Sequence, residues 1–494
     1  MKRWLTFTAI ICISACMKPE DLQKNPNKAN TSPPGNVLTG VEMDMFYSPW
    51  DFPQRSSQYH CISNAYYGGQ SYNFGSASHR FYQIRNVMQM EREAVRTGDP
   101  AKRGYAAVGL FLKAWFYIQM TQQMGDIPMS QSMMAEQEII SPVYDLQKDV
   151  YRQCLDLLRR ANDSLGVINS TSQQQLAGDI FFSGDLDKWQ RLVNAFRLRV
   201  LISLSKKAND PDLKIPAAFA EIVQHPERCP LPRDNRDNLQ VTYGEDDVSN
   251  YNPGYSATPE ASSRNNPLAA TYVSLMTGLR DPRLFVVAQP SRQSDSLPDN
   301  KNDFRSYRGA STGTLQKLIS DSAAMGYYAH PDPDYWFSSK TGRPTIMLGF
   351  PETQFAIAEG INRGWADGDA GAAYTAGIRA AMKAYGLEGK VVDDYLQQAV
   401  VQYAGDNTLG LVQILHQKYI DFFQMGGWEA FLNQRRTGIP VFHIGPSNEN
   451  GGRIPLRWSY PPYEYIDNLK NLQAALSRQY QGLDQLNGRM WSLQ

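Results

Sequence analysis

The stretch ETQFAIAEGINRGWADGDAGAAYTAGIRAAMKAY, residues 352–385, decides the fold. Phe355, Ala358, Glu359 and Ile361 mark one side of a first helix, which stops before the acidic, glycine-rich turn from Gly364 to Gly371. Ala372, Ala373, Tyr374, Gly377, Ile378, Ala381 and Tyr385 then repeat at spacings of three and four, the period of a second helix. Small residues at the crossing let two backbones approach closely, so the stretch reads as a helical hairpin.

Working outward, the same period returns. Tyr105, Val108, Leu112, Trp115 and Gln119 form a stripe over Ala101–Gln122, stopped by Gly125-Asp126-Ile127-Pro128. Ser141-Pro142 reads as the cap and first-turn proline of a helix whose apolar face is Val143, Leu146, Val150, Leu157 and Leu158. A third helix runs from near Asp185 to about Lys207, with Trp189, Val193, Phe196 and Val200 inward and Arg191, Arg197 and Arg199 on the same helix. Others span about Leu409 to Met425 and Trp428 to Arg435. The pairs resemble degenerate tetratricopeptide hairpins. The expected fold is mainly α, a tetratricopeptide-like helical-repeat scaffold with little β. From about 226 to 344, Gly, Pro, Asn, Asp and Ser interrupt the period. A stretch that long is not a bare linker, so it reads as a loop-rich insertion carrying a binding face.

The N-terminus reads as an address. Lys2 and Arg3 precede a short apolar run, Leu5 to Ile13, and Ile13-Ser14-Ala15-Cys16 closes it with small residues before a cysteine. The run is too short to span a membrane, which takes about 20 apolar residues. It matches a bacterial lipoprotein signal, with residues 1–15 removed and Cys16 lipidated; an ordinary secretory signal is the plainer alternative. Lys18, Glu20 and Asp21 resemble the charged patch that sends some lipoproteins to the outer face of the outer membrane. Residues 16–36 read as a lipidated tether, rich in Asn, Pro, Ser and Lys, and 37–494 as one domain.

Composition narrows the function. The 494 residues carry 49 Lys plus Arg against 49 Asp plus Glu, which favours neither nucleic acid nor anionic lipid. Of five cysteines, Cys61, Cys154 and Cys229 remain after the signal, too few and too scattered for a disulfide framework. The chain contains no HExxH or P-loop pattern. His330-Asp332-Asp334 is interrupted by two prolines and reads as a turn rather than a metal site. Asp246, Asp247 and Glu352 are only nominal candidates for a carboxylate pair, so no catalytic residue, metal or cofactor is assigned.

Aromatic residues, 11% of the chain with 27 tyrosines, concentrate where helical period is absent. Flat rings pack against sugar C–H groups while neighbouring polar groups orient hydroxyls. Three segments qualify: Tyr47 to Phe81, Tyr243 to Tyr255 and Tyr327 to Phe337. Tyr67, Tyr72, Asn73, Tyr251, Tyr335 and Trp336 are the candidate ligand-binding residues; polar and glycine neighbours set Tyr67, Tyr72 and Trp336 apart. The competing reading is that such rings bury loops against helices.

Taken in order, these landmarks resemble the SusD/RagB family, in its SusD-like branch of outer-membrane nutrient-binding lipoproteins. Gly125-Asp126-Ile127-Pro128, the Trp189 helix, Asp281-Pro282-Arg283, Ala358-Glu359 with Arg363-Gly364, Gln417-Lys418-Tyr419, Trp428-Glu429-Ala430 and Arg435-Arg436-Thr437-Gly438 all have counterparts there. Residues 430–434 depart from the pattern, lacking a tryptophan that often precedes the Arg-Arg pair. The resemblance implies a non-catalytic protein that binds oligosaccharides, or in some members peptides, for a TonB-dependent transporter barrel. An α-helical glycoside hydrolase or lyase on the same surface, and a tetratricopeptide scaffold that binds only protein, are the rival readings.

Overall fold

The computed structural model describes residues 31–64, 70–172, 174–295 and 300–494. Helices of seven or more residues are numbered in chain order: α1 (Pro34–Met43), α2 (Phe81–Arg96), α3 (Lys102–Met124), α4 (Gln147–Thr171), α5 (Leu186–Ser203), α6 (Ile215–Gln224), α7 (Ala270–Gly278), α8 (Gln316–Ala324), α9 (Phe350–Asn362), α10 (Ala370–Ala384), α11 (Lys390–Leu396), α12 (Thr408–Asp421), α13 (Glu429–Thr437) and α14 (Leu469–Tyr480). Strands are short: β1 (Leu239–Val241) pairs antiparallel with β4 (Thr345–Leu348), and β2 (Ala288–Gln289) with β3 (His330–Pro331). The fold is mainly α, as the periodicity predicts.

The hairpin of residues 352–385 is α9 packed on α10. Its crossing is tight: a Cβ on Gly377 would stand 2.6 Å from the Phe355 ring, so any larger residue must push the helices apart. Asp369 starts α10 by accepting from the Ala372 N–H, and Asp185 starts α5 by accepting from Asp187 and Lys188. Helix α3 packs against α2 and α4, α4 against α5, and α5 against α9, which links the two halves of the scaffold.

Two expected boundaries move. The helix after Ser141-Pro142 begins only at Gln147. The backbone before it is committed elsewhere: Asp145 N–H donates to Ile127 O, Val143 N–H to the Gln131 side chain, and Ser141 Oγ to Asp467 O. The helix expected to reach Met425 ends at Asp421, because Gln424 adopts a left-handed φ of 61° and two glycines follow. Helix α1 begins at Pro34, inside the segment read as tether, and Pro34 and Gly35 are buried. Helices α2, α6, α11 and α14 are additions to the sequence expectation. Cys16 lies outside the described residues.

The sequence landmarks meet one another in the interior. Asp126 accepts from Gln147 N–H at 2.8 Å and pairs with Arg478 of α14 at 2.5 Å, tying the ends of three helices. Arg283, fully buried, pairs with Asp281 at 2.5 Å and donates to Gln417 of α12 at 2.7 Å. Arg199 pairs with Glu352 at 2.5 Å, bridging α5 and α9, and Arg436 pairs with Glu359 at 2.6 Å, bridging α13 and α9. Burial alone would raise the Glu359 carboxyl, yet Arg436 and Arg363 hold it at about 2. At the departure in residues 430–434, Phe431 fills the space, its ring 5.2 Å from Phe74 and 5.8 Å from Trp458.

Candidate functional site

Trp50 stands where three segments converge. Its backbone has a left-handed φ of 63°, a conformation that costs a non-glycine residue about 1–3 kcal/mol. The surroundings hold it there: Trp50 N–H donates to Gln424 Oε1 at 2.6 Å, Gln424 N–H donates to Gln54 Oε1 at 2.7 Å, and Gln54 Nε2 donates to Met425 O at 2.9 Å. Gln58, Tyr72 and Gln424 share the left-handed region, at φ 60°, 54° and 61°, and Gln58 Nε2 donates to the Tyr72 hydroxyl at 2.8 Å. Trp50–Gln424 and Gln58–Tyr72 are thus two bonded pairs of strained residues, each held in place by its own partner.

The Trp50 indole rests on rings. Its centroid lies 5.3 Å from Trp336, 5.1 Å from Phe337, 5.4 Å from His60 and 5.9 Å from Phe423. Trp50 is half-buried, and among the described residues its indole N–H meets no acceptor. The loop 251–256 crosses beside it. Asn252 N–H donates to Lys340 O at 2.6 Å and Ser256 N–H to Phe337 O at 2.9 Å, clamping this loop to residues 337–343. Gly342, at φ 46°, has no space for a Cβ, which would overlap the Asn252 amide. A Cβ on Gly254 would lie 3.0 Å from Trp336 O and at an ordinary 3.5 Å from Trp50 Nε1, so the loop passes close to both tryptophans.

The six candidate residues divide. Trp336 is only 6% exposed, and its indole N–H donates to Val287 O at 2.9 Å. Tyr72 is 4% exposed, its hydroxyl donating to Ser56 O at 3.1 Å. Both are walls beneath the surface rather than faces open to a ligand, which corrects the expectation drawn from their polar neighbours. Asn73 is exposed, next to the Phe52–Phe74 ring contact at 5.4 Å. Tyr251 is half-buried, edge-on to Tyr255 at 5.5 Å with Lys340 Nζ 4.7 Å from its ring. Tyr335 stacks on Tyr385 at 6.2 Å, and the Arg343 guanidinium lies 4.8 and 5.0 Å from the two rings. Tyr67 lies outside the described residues. The structure thus joins Trp336 to Trp50 directly and Tyr335 through Trp336, holds Tyr251 in the loop clamped beside them, and keeps Tyr72 against Phe74 without a ring contact to Trp50 among the described residues.

Sequence reasoning passed over Arg343 and Lys340, because a lone cation in a loop carries no pattern, and took Tyr385 only as part of a helical stripe. Phe52, 39% exposed, and Trp428, half-buried, face each other at 5.6 Å and extend the aromatic rim; both stand out only once the fold joins residues 52 and 428.

Burial keeps the imidazole and phenol of the site neutral. Burial pushes the His60 imidazole down to about 3, so it is neutral beneath Trp50. Burial, then the nearby Tyr385 hydroxyl, pushes Tyr335 up, so it remains a neutral phenol. Burial raises the Asp421 carboxyl to about 7. That carboxyl and Tyr385 border a cavity of about 10 Å³, room for roughly one water. Of the nominal carboxylates, Glu352 is engaged by Arg199, and Asp247 accepts from the Ser249 N–H as a turn cap. Asp332 likewise caps the one-turn helix Pro333–Trp336 by accepting from the Tyr335 N–H at 3.0 Å. Among the described residues, no three His, Cys, Asp or Glu side chains gather as a metal site. The arrangement offers rings, an indole donor that meets no acceptor among the described residues, and two cations.

A family model described as "Starch-binding associating with outer membrane", in the SusD-like group, matches residues 26–461. Among solved structures, the chain is similar to an outer-membrane protein of Bacteroides vulgatus described as involved in nutrient binding: 29% identity, TM-score 0.83, covering 94% of this chain and 100% of that one. Two SusD homologs of Bacteroides fragilis superpose with TM-scores of 0.84 and 0.81 at 26% and 29% identity, each covering 94% of this chain and 100% of its own. The comparison with curated proteins gives no match.

Proposed function

As the chain belongs to the SusD-like family of outer-membrane nutrient-binding proteins, we propose that it captures oligosaccharides at the cell surface and passes them to a TonB-dependent transporter, without chemistry of its own. The supporting observation is Trp50: a ring on a strained, over-determined backbone, with a donor that meets no acceptor among the described residues and with flanking aromatics. That combination suits a sugar, which presents C–H faces to rings and hydroxyls to donors. The adjoining cavities are water-sized, so the ligand lies across the surface rather than inside. Cys16 carries the lipid that keeps the protein beside its transporter. Cys16→Ala is expected to release a folded protein from the membrane, and unchanged attachment counts against the anchor.

Titration of the protein with a panel of oligosaccharides tests the ligand class. Trp50→Phe keeps the ring and removes the donor, and should weaken binding about tenfold, the worth of one buried hydrogen bond. Phe52→Ala should weaken it without changing the melting temperature. Shortening of the glycans on incubation would overturn the non-catalytic reading, and selective binding of peptides in their place would overturn the sugar.

A further inference from the structure

Two cations at the candidate site lack a counter-charge. Arg343 is half-buried, its guanidinium 4.8 Å from the Tyr335 ring and 5.0 Å from the Tyr385 ring. Its Nε is sealed from solvent and meets no acceptor, and among the described residues no carboxylate lies within ion-pair reach of the guanidinium. The Tyr385 hydroxyl beside it is likewise sealed and without a partner. Lys340 is half-buried too, with Nζ 4.7 Å from the Tyr251 ring. Glu245 acts on Lys340 only from beyond ion-pair distance. Asp281 and Asp421 act on Tyr385, but their cations are Arg283 and Lys418 rather than Arg343. A guanidinium withdrawn from water needs its lost solvation replaced. The two rings supply part of that replacement, and a negative charge is what remains missing.

The segment that carries both cations is fixed at several points. Asn252 N–H donates to Lys340 O, Gly342 N–H donates to Ser339 Oγ at 3.0 Å, and Thr345 opens β4 against β1. Pro344 disfavours helical backbone at Arg343. Three residues separate the two cations, so their Cα atoms stand at most about 11 Å apart. Ring contacts continue from Tyr335 to Trp336 at 5.0 Å and on to Trp50 at 5.3 Å. A neutral sugar would use the rings and leave both cations idle. An acidic sugar covers the rings with C–H faces and supplies the missing charge. The end of a guanidinium offers two nitrogens spaced to grip both oxygens of a planar carboxylate, a fit that a lysine lacks.

We infer that the oligosaccharide bound at Trp50 is acidic: a uronate carboxylate docks on Arg343, and Lys340 takes the charge of a neighbouring unit. This rests on the sugar-binding reading above and adds the class of sugar, with Arg343 and Lys340 as the residues that determine specificity.

Isothermal titration of the full-length protein compares oligogalacturonate, oligomannuronate and glucuronate-substituted xylan oligosaccharides with the same compounds after reduction of each carboxyl to a primary alcohol. At least one acidic form should bind about tenfold more tightly than its reduced counterpart. That advantage should shrink as salt is raised. Arg343→Gln should bring the two affinities together, and Arg343→Lys should restore only part of the difference. Lys340→Ala, which leaves the Tyr335 and Tyr385 contacts in place, should lower the advantage in part. Equal or weaker binding of the acidic form in every pair would overturn the inference. So would an advantage that survives in the combined Arg343→Gln, Lys340→Ala protein. Tighter binding of a sulfated galactan oligosaccharide than of any uronate would overturn the carboxylate as the group recognised. If oligoglutamate binds and no oligosaccharide does, acidic or reduced, the sugar-binding reading itself fails.

Discussion

Trp336 and Asp421 show how position decides what a side chain does. Trp336 supports Trp50 and is sealed from solvent, so Trp336→Ala should cost about 3–5 kcal/mol in chemical denaturation, the usual cost of emptying a large core site. Loss of ligand binding in that variant would follow from collapse of the support. Asp421 carries a different signature. Its folded value near 7 lies above the ordinary carboxylate value, so the stability its neutral form contributes is full below about pH 4. That contribution is lost as pH rises through 7. Asp421→Asn should therefore raise the melting temperature relative to wild type at pH 8 and match it near pH 4. An equal gain at both pH values would contradict the raised carboxyl.

At the scale of elements, the buried ion pairs fix how helices sit against one another. Glu359 joins α9 to α13 through Arg436 and lies at the centre of several charges. Glu359→Gln leaves Arg436 buried without its counter-charge and should cost about 3–5 kcal/mol by equilibrium unfolding. Because the carboxyl is held at about 2, its contribution is present above the ordinary glutamate value and is lost as pH falls through 2. Replacing Glu359 by Leu and Arg436 by Met together should recover much of the loss; an additive double variant would show that the pair has no coupling. The pairs also explain which helices were legible in the sequence. The helices α3, α5, α9, α10 and α13 each bury a continuous stripe, and their ends follow from local caps and glycines. The start of α4 is not local: residues 141–145 are held extended by partners at positions 127, 131 and 467, which no window of sequence contains.

For the whole molecule, the mainly α architecture and the family are legible because the landmarks recur in order along the chain. The candidate site is legible only as segments. Aromatic, polar and glycine content locates the loops that meet at Trp50, but a ring outside a helical period carries no sign of which way it faces. Tyr72 and Trp336 thus turn inward while Phe52 faces out. Arg343 acquires meaning only when the fold sets it beside Tyr335 and Tyr385, 42 positions from the latter in sequence.

The bonds at Gln424 have a consequence for how the protein comes into being. Trp50 and Gln54 take their partners from Gln424 and Met425, and Gly426 N–H donates to Ile346 O of β4. The aromatic surface contributed early in the chain and the insertion contributed midway both wait on residues 424–426. During synthesis and export the scaffold helices α3 to α5 can pair as they emerge, whereas the binding face closes only after some 85% of the chain has appeared. A chain released before Gln424 would carry nearly every ring of the site and lack the contacts that set Trp50 in place.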